Sequence, residues 1–210
     1  MVVSNLIFWN VDTQVDFVSP EGKLYVPGAE LLKPKWERLT KLAEAKSIVV
    51  VNTADWHYAN SAELSEDPDF LNTFPPHCMA NTAGAAYIEE TNPENSLAID
   101  WNKEFRLMDV LMNKEKIRNY TFSKDAFDVF KGNPYTELVL NVLSPKIVIV
   151  YGVTTNVCVN YAVLGLADKV TKVIVIEDAI KELPNIQMPF DNWKKMGVNL
   201  MQLSEIENLL

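Results

Sequence analysis

The sequence predicts an α/β protein, built as three α/β/α layers around a mostly parallel central sheet of about six strands. Short apolar runs rich in β-branched residues recur along the chain, and stretches of helical character separate them. Continuous apolar strands alternating with helices imply a parallel sheet covered on both faces. The length, 210 residues with 48% hydrophobic content, is enough to bury a substantial core. At about 150 residues per domain, it points to one domain, residues 1–210, rather than two.

The strands expected from these runs are Leu6 to Val11, Ser47 to Thr53, Lys146 to Gly152 and Lys172 to Asp178, each short, apolar and suited to burial on both faces. Weaker candidates are Arg118 to Phe122 and Val198 to Leu203. Helices are expected over Ala29 to Ala45, Glu104 to Met112, Tyr135 to Leu143 and Asn156 to Asp168, with Pro34 near the start of the first. The run from Asn60 to Ile99 has no clean period over most of its length. It predicts an elaborated loop over about 56–99, of the kind that carries function.

Composition excludes several classes of partner. The net charge of −9 and pI near 4.8 oppose a broad phosphate-binding surface, so nucleic acid and anionic membranes are not expected. The apolar start of the chain lacks a basic region and is interrupted by Ser4, Asn5 and Asn10, so neither a signal peptide nor a membrane span is expected. A cytoplasmic location follows as an expectation. Two cysteines, Cys78 and Cys158, are then expected as reduced thiols. Only 7 glycines occur and no strand is followed by G-x-G-x-x-G, which opposes a nucleotide-binding oxidoreductase.

In open α/β sheets, ligands bind beyond the carboxyl ends of the strands. Polar residues stand there in four places: Asp12, the pair Asp55 and His57, Lys124, and Cys158. Cys158 falls where a strand gives way to a helix, and free N–H groups and the helix dipole there favour a thiolate, the more so beside an ammonium. Taken alone it reads more readily as a small buried hydrophobe. Asp12 can serve a thiol as general base, with Lys124 holding the charges together; separately they read as a turn aspartate and a solvated lysine. Asp16 suits a structural hydrogen-bonding role. The chain's two histidines lie in TADWH and FPPHC, so Asp55, His57 and His77 offer a ligand set for zinc, manganese or iron.

Together these segments resemble the isochorismatase-like cysteine hydrolases, and within them the nicotinamidase (pyrazinamidase) branch. NVDTQVDF is similar to the family's D-x-Q-x-D-F segment, NTADWH to its D-x-H pair, and FPPHCMANTAGA to its W-P-x-H-C-x-x-x-T-x-G-A loop. TFSK resembles the catalytic-lysine segment, YGVTTNVCV the nucleophile motif, and LGLADKVTKVIVIEDAI also fits.

The resemblance implies an isochorismatase-like hydrolase fold and a cytoplasmic amidohydrolase of NAD salvage. Its nucleophile would be Cys158, its base Asp12 and its cation Lys124. A cis peptide before Thr154 would aim the N–H groups of Thr154 and Cys158 at one point as an oxyanion hole. Phe17 and Phe74 would wall a flat heteroaromatic ring. One divalent metal, with zinc as first choice, would sit on Asp55, His57 and His77. The implied reaction passes through a thioester, hydrolysed by water that Asp12 activates or the metal delivers. A homo-oligomer acting on a small amide is expected by the same route.

The sequence departs from the family in two places. Many nicotinamidases have a further histidine after the D-x-H pair, whereas HYANSAELSED has none, leaving Glu63 or Glu66 to supply a ligand, with Glu63 the first choice. Phe74 replaces the usual Trp, which leaves the substrate's size open. Cys78 is expected to pack inertly. Alternatives are a relative cleaving another small amide, carbamoyl or ureido compound, and a non-catalytic small-molecule or metal-binding module, against which the intact trio of Asp12, Lys124 and Cys158 argues.

Overall fold

A computed structural model describes residues 5–210. The chain begins with β1 (Leu6–Val11), α1 (Val15–Val18), α2 (Lys33–Ala45) and β2 (Val49–Asp55). After the long loop come β3 (Leu97–Ile99), α3 (Leu107–Asn113), β4 (Asn119–Lys124), α4 (Val129–Gly132) and α5 (Thr136–Leu143). The remainder runs through β5 (Ile147–Val153), α6 (Cys158–Ala167), β6 (Lys172–Lys181), α7 (Phe190–Lys195), β7 (Asn199–Met201) and α8 (Leu203–Leu209). The sheet order is β3-β4-β2-β1-β5-β6-β7 and every pairing is parallel.

Side chains alternate across this sheet and bury two apolar layers. Trp9, Val11, Val148 and Val150 face helices α3 to α7, whereas Phe8, Ile149, Ile174 and Ile176 face α2 and α8. The three-layer expectation is met. Seven strands replace about six, because β3 lies inside the run that reads as an unpatterned loop. Its three residues are mostly half-exposed or exposed, so its strand character comes from pairing with Tyr120, Thr121 and Phe122 and not from a pattern of its own.

Other boundaries move by a few residues. Ala29–Leu32 is a 3-10 turn leading into α2, and β4 runs on to Lys124, which therefore ends a strand instead of following one. The short helices α1, α4, α7 and α8 are additions to the expected set, being too brief for a helical period to register. Among the described residues no helix is long and apolar enough to cross a membrane.

The chain leaves β1 for β2 on one side and later returns to β5 on the other. The carboxyl ends of β1, β2, β4 and β5 therefore gather at the switch in strand order, where ligand crevices form. Gly152 makes the close approach there possible. Its φ is +120°, and an added Cβ would lie 2.1 Å from the carbonyl oxygen of Val11, a contact between backbones that no side-chain rotation relieves. Gly152→Ala should therefore cost about 4 kcal/mol or more, measured by urea denaturation; an unchanged midpoint would contradict this packing.

Candidate active site

Four strand ends bring the polar residues together. Asp12 follows β1 with φ at +49°; its N–H donates to the Thr53 carbonyl at 3.1 Å, and its Oδ1 accepts from the Thr53 hydroxyl at 2.6 Å. Asp55 and Lys124 close β2 and β4 in register with each other, so their side chains meet. The Lys124 ammonium is ion-paired with Asp55 Oδ1, lies 3.0 Å from Asp12 Oδ2 and reaches Cys158 Sγ at 3.7 Å. Carboxylate oxygens of Asp12 and Asp55 and the sulfur all lie within 4.8 Å of one another. All four residues are buried.

Cys158 opens α6, and the peptide between Val153 and Thr154 is cis. Among the described residues, neither the Thr154 nor the Cys158 N–H donates a hydrogen bond. Phe17 and Phe74 both pack near His77, with ring centroids 5.4 and 6.4 Å away. Asp16 takes the structural role expected of it: its carboxylate accepts from the N–H groups of Lys23 and Cys78. Cys78 is fully buried in the apolar layer beneath α2.

The charge distribution corrects one expectation. Burial pushes the Cys158 thiol well above its ordinary value; Lys124 opposes this, but Asp12 and Asp55 add to it. A helix terminus favours a preformed thiolate, whereas here burial and two nearby carboxylates oppose one. Burial also raises Asp12, more than Lys124 lowers it. Asp55 is likewise raised by burial, but the Lys124 ammonium leads the interactions that hold it well below the carboxylate range. Burial disfavours the Lys124 charge, and Asp12 and Asp55 reverse that, raising its pKa well above the usual lysine value.

Asp55, His57 and His77 place one ligand atom each within 4.8 Å of the others. His77 Nδ1 lies 2.7 Å from the Pro75 carbonyl, which can only accept, so Nδ1 carries the proton and Nε2 presents its lone pair. His57 Nδ1 lies 3.3 Å from Asp125 Oδ1, and the same reasoning applies. Both Nε2 atoms then face Asp55 Oδ2, at 3.9 and 3.6 Å, and His57 Nε2 is buried without a hydrogen-bond partner. Two lone pairs aimed at a carboxylate fit a divalent cation.

Glu63 is outside that cluster. One of its oxygens accepts from the Phe127 N–H at 2.6 Å, and the other is buried and unpartnered. Burial, helped by Asp55, pushes its pKa up to about 8. Glu66 is exposed on the same loop and is not among the residues of the cluster. Three further residues are not predicted by the sequence. Gln14 clamps the backbone of Asp55: its Nε2 donates to the Asp55 and Ala85 carbonyls at 2.8 Å, and its Oε1 accepts from the Asp55 N–H at 2.7 Å. Ser61 donates to Asp125 at 2.5 Å, steadying the partner of His57. Their only signals in the chain are the Gln within NVDTQVDF and the position of Asp125 beside Lys124.

A model of the isochorismatase domain matches residues 6–204. The chain belongs to the isochorismatase family. Within this family it is similar to a nicotinamidase/pyrazinamidase of Mycobacterium tuberculosis, at 31% identity over 77 residues, or 37% of this chain and 40% of that enzyme. The matched stretch thus spans two fifths of that relative's length. The crystal structure of a Pyrococcus horikoshii pyrazinamidase in complex with zinc superposes with a TM-score of 0.71 at 26% identity, covering 94% of this chain and 99% of that one. An N-carbamoylsarcosine amidase from Thermoplasma acidophilum, with a TM-score of 0.72, 19% identity and coverage of 96% and 98%, shares the fold.

If Asp125 sets the tautomer of His57, Asp125→Ala should lower divalent-metal affinity by about 10- to 100-fold. Asp125→Asn, which keeps an acceptor oxygen, should lose less. Competition with a chromogenic chelator measures both; wild-type affinity in the alanine variant would exclude the role.

Proposed function

We propose that this protein is a metal-dependent amidohydrolase resembling nicotinamidase, cleaving a small heteroaromatic carboxamide to the acid and ammonia through a cysteine thioester. One observation carries this reading: a buried ammonium, Lys124, touches both a carboxylate, Asp12, and a thiol, Cys158. A lysine so placed neutralises charge where a proton must move between two acidic groups.

Asp12 takes the thiol proton of Cys158 as sulfur attacks the amide carbon. The N–H groups of Thr154 and Cys158 receive the developing oxyanion. Asp12 then returns the proton to nitrogen, the C–N bond breaks, ammonia leaves and a thioester remains. Water attacks that thioester with Asp12 again as base, releasing the acid and restoring the thiol. Phe17 and Phe74 flank the ring of the substrate.

Asp55, His57 and His77 would hold the metal, with zinc as first choice and manganese or iron as alternatives, and Glu63 is the nearby carboxylate able to supplement them. When bound, such an ion supplies a Lewis-acidic point that orients the substrate's ring nitrogen. A cytoplasmic homo-oligomer in NAD salvage completes the proposal. The kinship in fold with N-carbamoylsarcosine amidase makes carbamoyl compounds the second substrate class to assay.

Ammonia release from nicotinamide should fall at least about a thousandfold in Cys158→Ala and in Asp12→Asn; equal rates in wild type and Cys158→Ala would remove the mechanism. The pH dependence has a defined sign. Asp12 must be ionised to act, and its pKa is raised from 3.8, so kcat/KM should fall with decreasing pH along a limb displaced above that value. Alkylation of Cys158 by iodoacetamide should be slow at about pH 7 and quicken as pH rises, whereas a flat, fast profile would indicate a resting thiolate.

A further inference from the structure

A cavity of about 610 Å³ opens beside this site, with Tyr25, Phe70, Leu71, Phe74, Leu183 and Ile186 in its lining. Two of its walls are tied to the catalytic cluster. Phe74 packs against Phe127 and His77, at ring-centroid distances of 5.5 and 6.4 Å. Opposite, Asn156 Nδ2 donates to the Leu183 and Ile186 carbonyls at 2.8 and 3.0 Å, and its Oδ1 accepts from the Leu183 N–H at 3.0 Å. Asn156 stands two residues before Cys158 in the chain. The cavity therefore lies between the loop that carries Phe74 and the Leu183 to Ile186 segment, which Asn156 holds against the turn before the sulfur.

Its chemistry is apolar because the main polar groups of its walls are already engaged. The Tyr25 hydroxyl donates to Glu30 at 2.5 Å and accepts from the Gly28 N–H at 3.0 Å. The Asp69 carboxylate accepts from the N–H groups of Leu71, Asn72 and Thr73 at 2.7 to 2.9 Å. Among the described residues no lysine, arginine or histidine lines it, so an anionic tail would find no partner there. Phe70 and Leu71 are 54% and 68% exposed at its rim, apolar area that a ligand would cover. The volume is in the range of pockets that enclose drug-sized ligands, and a single-ring carboxamide would leave most of it to water.

We infer that this cavity is a subsite for the acyl part of the substrate, and that the substrate is a primary carboxamide bearing an uncharged, apolar extension. The inference rests on the amidase reading above. It is tested by comparing butanamide, 4-phenylbutanamide and succinamate, which share the reacting carboxamide and differ in the far end of the acyl chain, with nicotinamide as reference. The expected kcat/KM for 4-phenylbutanamide is about tenfold or more above that for butanamide, with succinamate the poorest. Leu71→Glu and, separately, Phe70→Ser, both at exposed positions, should lower the ratio of 4-phenylbutanamide to butanamide by about fivefold or more. Equal kcat/KM for those two amides, or a ratio unmoved by both substitutions, overturns the subsite. Turnover of nicotinamide without that preference would sink the subsite alone, whereas no ammonia from any of the four would sink the amidase reading with it.

Discussion

An ammonium buried at the centre of the strand ends is the constraint on which the site is built. Removing a lysine charge from water costs several kcal/mol unless compensated. Here two carboxylates compensate it, and a thiol completes its surroundings. Each partner arrives on a different strand or helix, so the parallel sheet must be in register before the charge can be tolerated. The in-register pairing of Asp55 with Lys124 and the tight crossing at Gly152 satisfy that requirement. Electrostatics and topology are here one problem with one solution.

Much of this is legible in the chain. The strands buried on both faces announce themselves as unbroken apolar runs, and β1 lies where its run predicts, Leu6–Val11. The polar residues just past those runs are the ones that converge, because a parallel sheet gathers its carboxyl ends on one side. The roles of Gln14, Ser61 and Asp125 are not legible, since each acts on a residue far away in sequence that its own neighbours in the chain do not name. The same limit explains β3, whose identity belongs to its neighbour β4.

The acidity of Cys158 escapes the sequence for a related reason. A helix N-terminus is a local feature that sequence displays, whereas desolvation and the fields of Asp12 and Asp55 come from the assembled fold. Glu63 and Glu66, three residues apart, look interchangeable in the chain; folding buries the first and leaves the second nearer solvent. Only the path of the loop distinguishes them.

Asp55 has one oxygen paired with Lys124 and the other facing the two imidazoles, held in that pose by Gln14 gripping its main chain. The two halves of the crevice therefore share one negative charge. A changed donor on the imidazole side would therefore alter the charge that Asp55 presents to the sulfur. The imidazole side and the sulfur side are thus coupled through a single side chain.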